Sequence, residues 1–230
     1  RCIRRPRSNV NWVFARNAIC APLCRKSSRI WASNSPVSDK LSVMLKRAFD
    51  VLLAVLLLAA FALPMAVIAI AVRLTSPGPA LFWSQRVGRG NAMFSMPKFR
   101  TMRVDAPVVA THLMGNPEAF LTPIGSFLRR SSLDELPQLW SILVGDMSFV
   151  GPRPALYNQD DLIALRARAG VNRLLPGLTG WAQIHGRDEL PIAEKARFDH
   201  QYLQTRSFWL DLKIIFITFK RVLGRHGISH

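Results

Sequence analysis

Apolar and polar positions are unevenly spread along the chain. Val51 to Val72 (VLLAVLLLAAFALPMAVIAIAV) runs 22 residues without a charge. As a straight helix it extends ~33 Å at ~1.5 Å per residue, close to the ~30 Å hydrocarbon core of a bilayer. Its apolar core is too long for a signal peptide, and no small-residue cleavage site follows it. Lys46 and Arg47 precede the run and Arg73 follows it, so the bias of positive charge towards the cytoplasm does not choose an orientation. Pro64 lies near the middle, where a proline removes one backbone hydrogen bond and crowds the preceding turn. A helix bent sharply there enters and leaves through one leaflet, with both basic ends on the cytoplasmic side. A kinked spanning helix fits the same residues, and the pattern alone leaves both open.

After Leu74 the pattern becomes that of a folded domain. Turn signals (Ser76-Pro77-Gly78-Pro79, Gly88, Gly90) separate short β-prone runs up to Arg103. Residues 105–126 read as loop and short helix, 132–145 as helix, 150–154 as a Gly/Pro turn and 158–170 as helix. The stretch 174–191 reads as loop with one short strand, and 191–225 as mostly helix. In the last helix, from about Ser207 to Arg225, Phe208, Trp209, Leu212, Ile215, Phe216, Phe219, Val222 and Leu223 follow helical spacing. Leu210, Ile214 and Ile217 occupy another side. Two apolar faces suit a helix packed on the domain and touching lipid, with Lys213, Lys220 and Arg221 at headgroup level; a core helix with a basic rim has the same pattern.

Charge sharpens this division. The net charge is +17, which excludes an acidic soluble protein and points to an anionic partner such as phosphate or lipid headgroups. Eleven basic residues and one acid, Asp39, precede Asp50, more than half of that excess. Residues 1–43 therefore read as a basic, disordered extension upstream of a natural opening at Met44, with a basic membrane-surface arm as the other reading. All three cysteines fall within the first 24 residues, which excludes a disulfide framework. Aromatic residues concentrate in apolar segments rather than among basic ones, so a nucleic-acid surface is not favoured.

Candidate chemistry is concentrated in two stretches. In Arg129-Arg130-Ser131-Ser132-Leu133-Asp134-Glu135, Ser132 and Glu135 have the spacing of a capping box. Asp134 and Glu135 then sit at a helix start beside Arg129 and Arg130, a place that attracts phosphate. Two adjacent carboxylates can also hold one Mg²⁺ together with substrate phosphate. The second stretch, Gly151-Pro152-Arg153-Pro154, fixes a guanidinium in a stiff turn suited to bidentate phosphate recognition. Lys98 and Arg100 alternate with Phe99 and point to one face of a strand. No spacing typical of zinc sites, Ser nucleophile elbow, phosphate-binding Walker loop or dinucleotide fingerprint occurs.

KRAFD (46–50) before an apolar run interrupted by Pro64, then PKFRTM, SSLDELPQLW, GDMSFVGPRP, PGLTGWAQIHGR and FWLDLKIIFIT, resembles the bacterial sugar transferases. These are the monotopic polyprenyl-phosphate phosphoglycosyl transferases, and the resemblance covers about residues 45–225. It implies an α/β, mostly helical fold with three parts: the extension 1–43, a re-entrant membrane helix over 44–75 broken at Pro64, and a small cytoplasmic catalytic domain over 76–230 with amphipathic membrane-surface helices. Two positions depart from the family's usual pattern. Leu63 precedes Pro64 where Ser is frequent, and Ser84 stands where many members carry Gln two residues before the Arg86 equivalent.

The implied reaction, at the cytoplasmic face of the bacterial inner membrane, moves sugar-1-phosphate from a UDP-sugar to undecaprenyl phosphate and releases UMP. The resemblance makes Asp134 the nucleophile, forming an aspartyl phosphosugar, with Mg²⁺ held by Glu135 and Asp134. Arg129 and Arg153 become phosphate clamps, with Arg86, Lys98 and Arg100 as further substrate contacts. Asp146, Asp199, Asp211 and Arg187 receive no role beyond a structural or substrate-proximal one. The look of GRDELP (186–191) leans towards an N-acetylated donor without physical support. Expected partners are the UDP-sugar, the lipid acceptor, membrane lipid and, with nothing to decide it, a second copy of the chain. A non-enzymatic, membrane-anchored basic binding module is the alternative; it explains the charge and the apolar run but not the paired acids or the Arg153 turn.

Overall fold

A computed structural model describes residues 36–106, 117–186 and 190–224. Most of the basic extension, and Arg187, Asp188 and Glu189 of the GRDELP stretch, lie outside the described residues. The described residues from Lys40 onwards form one compact unit.

Helix α1 (Pro36–Thr75) starts upstream of the expected boundary at Met44 and contains Pro64 within it. The break expected at Pro64 is therefore not an interruption of helical backbone. Proline's fixed φ is itself helical, and what it removes is one amide bond of the ladder. The stretch Leu41–Thr75 is long and apolar enough to cross a membrane, and only 6% of its most apolar window is buried against the rest of the chain. A soluble core helix of this composition would be covered; here Leu52, Leu56, Leu63, Val67 and Ile70 are exposed.

The ends of the apolar run are not free. Leu53, Ala54, Leu57 and Leu58 pack on a cluster built from Met96, Leu139, Ile142, Met147, Phe149 and Ile214. Met65, Ile68, Ala69 and Val72 pack on a second cluster with Phe99 and Leu128. Between them, positions 59–64 are exposed apart from the half-buried Phe61. The charges before the run are also engaged. Arg47 donates to the Ile142 and Leu143 carbonyls (2.6 and 2.9 Å), and Lys46 to the Val150 carbonyl (3.2 Å) and to Asp211. Asp50 accepts from the Phe149 N–H at 3.4 Å.

Strands β1 (Leu81–Val87) and β2 (Met93–Phe99) form the hairpin that the β-prone runs predict, with Arg86 opposite Phe94 and Ser84 opposite Met96. Gly90 and Asn91 turn it at φ 68° and 63°. Downstream come α2 (Gly125–Arg130), one of several short 3-10 turns (Leu133–Glu135), α3 (Gln138–Val144) and the short strands β3 (Ser148–Val150) and β4 (Ala155–Leu156). Then α4 (Asp160–Arg168), β5 (Gly177–Thr179), α5 (Ile192–Thr205) and α6 (Phe208–Gly224) complete the described chain. The hairpin extends to an antiparallel sheet in the order β2-β1-β4, and β3 pairs with β5 in parallel. The fold is thus mostly helical with small sheets.

Helix α6 buries Ile214 and Asp211 and leaves Trp209, Phe216 and Phe219 exposed. One face meets the domain near β3 and β5, and the other is a bare aromatic surface.

Candidate active site

The helix expected over 132–145 is divided by its own sequence. Ser132 adopts φ 56°, a left-handed conformation, and its side chain caps nothing. Pro137 lacks the N–H that a continuous helix would use at that point, so α3 begins only at Gln138. The expected capping box is absent, and Glu135 is released for other partners. The turn between the two helices buries Asp134, which is 8% exposed, and turns Glu135 towards β2 and the Arg153 turn.

Cations converge on these two acids from three elements. Lys98, on β2, donates to Glu135 Oε1 at 3.0 Å, and Arg153 reaches the same oxygen at 3.5 Å. Arg129, in the last turn of α2, donates through Nε to the Thr101 hydroxyl at 3.0 Å and lies in the field of Asp134. Burial pushes the Asp134 carboxyl up to about 6; Glu135 adds to the rise, while Lys98, Arg129 and Arg153 pull it back. Burial lowers the Arg129 guanidinium, against the attraction of Asp134. The result is a carboxylate that is charged at neutral pH yet poorly solvated, a state suited to nucleophilic attack.

Close backbone packing holds the Arg153 turn. A Cβ on Gly177 would lie 2.1 Å from Gly151 N, and one on Gly180 2.1 Å from Gly151 O. Glycine at these positions lets the chain after β3 lie directly on β5. The three successive carbonyls of the turn are each occupied. Pro152 O accepts from Gly177 N (2.9 Å), Arg153 O from Arg166 Nη1 (2.8 Å) and Pro154 O from Arg86 Nη1 (3.3 Å). Arg86 also donates through Nε to the Ser84 hydroxyl at 2.9 Å, so the position that departs from the family pattern orients that arginine.

Arg86, Lys98, Glu135 and Arg153 thus line one cleft. Arg100 is elsewhere. It is buried under the Ser76–Gly78 turn, gives Nη2 to the Ser76 carbonyl at 2.8 Å, and lies so close that a Cβ on Gly78 would meet Nη1 at 2.3 Å. Lys98 and Arg100 do not share a face of regular strand, because β2 ends at Phe99. Sequence reasoning passed over Gln138, which lines the same cleft with its amide nitrogen buried and without a hydrogen-bond partner. A polar residue four positions after Asp134, on the inward side of α3, was the available signal.

The donor set suits a hard divalent cation. No group of three or more His, Cys, Asp or Glu side chains forms among the described residues, but Mg²⁺ takes one or two carboxylates and completes its shell with substrate phosphate and water. Asp134 and Glu135 are the residues that would hold it. The surrounding cations and the buried amide donor are the complement of a diphosphate.

Residues 41–225 match the bacterial sugar transferase family. Over 187 residues the chain is 44% identical to the UDP-glucose:undecaprenyl-phosphate glucose-1-phosphate transferase of Caulobacter vibrioides, covering 77% of this chain and 69% of that protein. It is 42% identical over 187 residues to the undecaprenyl-phosphate glucose phosphotransferase of Komagataeibacter xylinus, covering 76% of this chain and 35% of that protein. With the UDP-glucose:undecaprenyl-phosphate glucose-1-phosphate transferase of Escherichia coli K12, identity is 41% over 184 residues, covering 76% and 39%. The chain therefore spans well under half the length of two of these relatives.

Proposed function

The chain belongs to the bacterial sugar transferase family, and on that premise we propose that it transfers sugar-1-phosphate from a UDP-sugar to undecaprenyl phosphate, releasing UMP. What supports this reading is the buried carboxyl of Asp134 next to Glu135, whose Oε1 meets Lys98 at 3.0 Å and Arg153 at 3.5 Å, with Arg129 in the field of Asp134. A basic binding module needs no such carboxylate.

Asp134 attacks the β-phosphorus of the donor. A carboxylate oxygen–phosphorus bond forms, the bond to the bridging oxygen breaks, and UMP leaves with the electron pair. A phosphate oxygen of the acceptor lipid then attacks the same phosphorus and displaces Asp134 as a free carboxylate. Splitting the transfer avoids bringing two anionic substrates together in one step. Lys98 and Arg153 bind the diphosphate, Arg129 offsets charge at the nucleophile, and Arg86 and Gln138 reach the donor from the cleft wall. Asp134 and Glu135 would hold a Mg²⁺ that, when bound, would further neutralise the diphosphate and the leaving UMP.

Glucose is the sugar favoured by the names of the three relatives, ahead of the N-acetylated donor that GRDELP suggested. A lipid phosphate acceptor calls for a reaction at a membrane surface; the proposal puts it at the cytoplasmic face of the inner membrane, with α1 inserted re-entrantly. That insertion is supported by both ends of the apolar run packing on one compact unit.

The test supplies the protein in lipid with undecaprenyl phosphate, Mg²⁺ and, in turn, UDP-glucose, UDP-galactose and their N-acetylated counterparts. Expected are UMP release with UDP-glucose, a hexose-phosphate adduct on Asp134 by mass spectrometry when acceptor is omitted, and loss of both in Asp134→Asn. Turnover that persists in Asp134→Asn defeats the covalent mechanism, and no UMP from any donor defeats the transferase reading.

A further inference from the structure

We infer that the buried pair Arg166–Asp199 is a positioning device for Arg153, setting where that guanidinium stands against the donor's diphosphate; this rests on the transferase reading above. Arg166 lies on α4 and Asp199 on α5, outside the set of side chains that lines the cleft with Glu135. Arg166 Nε and Nη2 both donate to Asp199 Oδ2, at 2.9 and 2.6 Å. The remaining branch, Nη1, donates to the Arg153 carbonyl at 2.8 Å. All three branches of the guanidinium are thus assigned, two of them to fix the third.

Stability alone does not account for this arrangement. Asp199 is 1% exposed and Arg166 is 9% exposed. An ion pair so deeply buried is generally no more stabilising than apolar residues of the same volume, because both charges are desolvated. Its distinctive property is direction. A planar guanidinium locked by a carboxylate offers one N–H at a fixed place and angle, and here that N–H is spent on the peptide carrying Arg153. The neighbouring carbonyls of Pro152 and Pro154 are held by Gly177 and Arg86, so the turn is fixed on both sides and Arg166 sets its centre. From that turn the Arg153 side chain, 40% exposed, reaches out to Glu135. Phosphoryl transfer depends on placement, and a displacement of about 1 Å can cost about a hundredfold in rate.

The test is a mutant cycle on the full chain in lipid. The apolar swap Arg166→Met with Asp199→Leu removes the pair without leaving a lone charge. Expected are a fall of about tenfold or more in kcat/KM for the UDP-sugar, an unchanged KM for undecaprenyl phosphate, and no further loss when the swap is added to Arg153→Ala. Losses that multiply, or an unchanged kcat/KM in the swap, overturn the inference. Should the swap not fold, Arg166→Lys takes its place, since it keeps the charge beside Asp199 but cannot serve both partners, and the same non-additivity is expected. If the unaltered chain turns over no UDP-sugar, the transferase reading has failed. The cycle is then read from UDP affinity by calorimetry, with additive losses again overturning the role of Arg166.

Discussion

Asp134 holds its charge in surroundings that resist it, and the consequence is measurable without substrate. Its carboxyl titrates at about 6 when folded, against 3.8 as the ordinary value, so the native state binds the proton more tightly than the unfolded chain. Stability from this group is whole below pH ~4, falls as pH rises towards 6, and above that the full cost is present. Removing the charge reverses the cost. Asp134→Asn is expected to be about 3 kcal/mol more stable than the parent at pH 8, a rise in Tm of roughly 6–12 °C. At pH 4 the two proteins should melt together. Thermal melts at both pH values check this, and an Asn variant that melts lower at pH 8 contradicts the environment described for Asp134. The residues most legible in the sequence were those with unusual local company. Asp134 beside Glu135, and Arg153 between prolines, announce themselves. Gln138 and Arg166 do not, because their meaning lies in burial and in partners on other elements.

Among elements, expectation and structure part where a local signal competes with a distant one. Ser132 and Glu135 have capping-box spacing, yet Pro137 prevents a helix from running through, and Glu135 finds Lys98 and Arg153 instead. Helix α3 is secured at its other end. Its last carbonyls, on Ile142 and Leu143, accept from Arg47 of α1, and Gly145 follows at φ 103°. A cation at a helix C-terminus satisfies orphan carbonyls and opposes the helix dipole. In the sequence, Lys46 and Arg47 read only as flanking charge; nothing in KRAFD names partners nearly a hundred residues away. Arg47→Met keeps the aliphatic stem and loses two charged hydrogen bonds. It should lower stability by about 1.5–3 kcal/mol, whereas Arg130→Met, at an exposed position ending α2, should change it by less than about 0.5 kcal/mol. Melting both variants in the same detergent checks the contrast, and equal effects would remove Arg47 from the capping role.

In the molecule as a whole, a long apolar helix packs on the unit that carries the cation-lined cleft. Residues 51 and 72 are ~32 Å apart along a straight helix, about the thickness of the hydrocarbon core. A spanning helix puts those positions at opposite surfaces. Yet Leu53–Leu58 and Met65–Val72 both pack on the same compact unit, while the turns around Pro64 stay exposed. Those contacts are what support the proposed excursion into one leaflet, deepest near Pro64, over a spanning helix. On that proposal, the exposed Trp209, Phe216 and Phe219 of α6 are the further side chains expected to meet lipid. Cysteines introduced one at a time as Leu45→Cys and Thr75→Cys, with Cys2, Cys20 and Cys24 changed to Ser, should both react with an impermeant maleimide from the cytoplasmic side only. A bimane probe on Leu63→Cys should be quenched by lipids brominated deep in the acyl chain. Labelling from opposite sides would establish a spanning helix, and labelling from one side without deep quenching would establish a helix lying flat on the surface; either result removes the re-entrant arrangement.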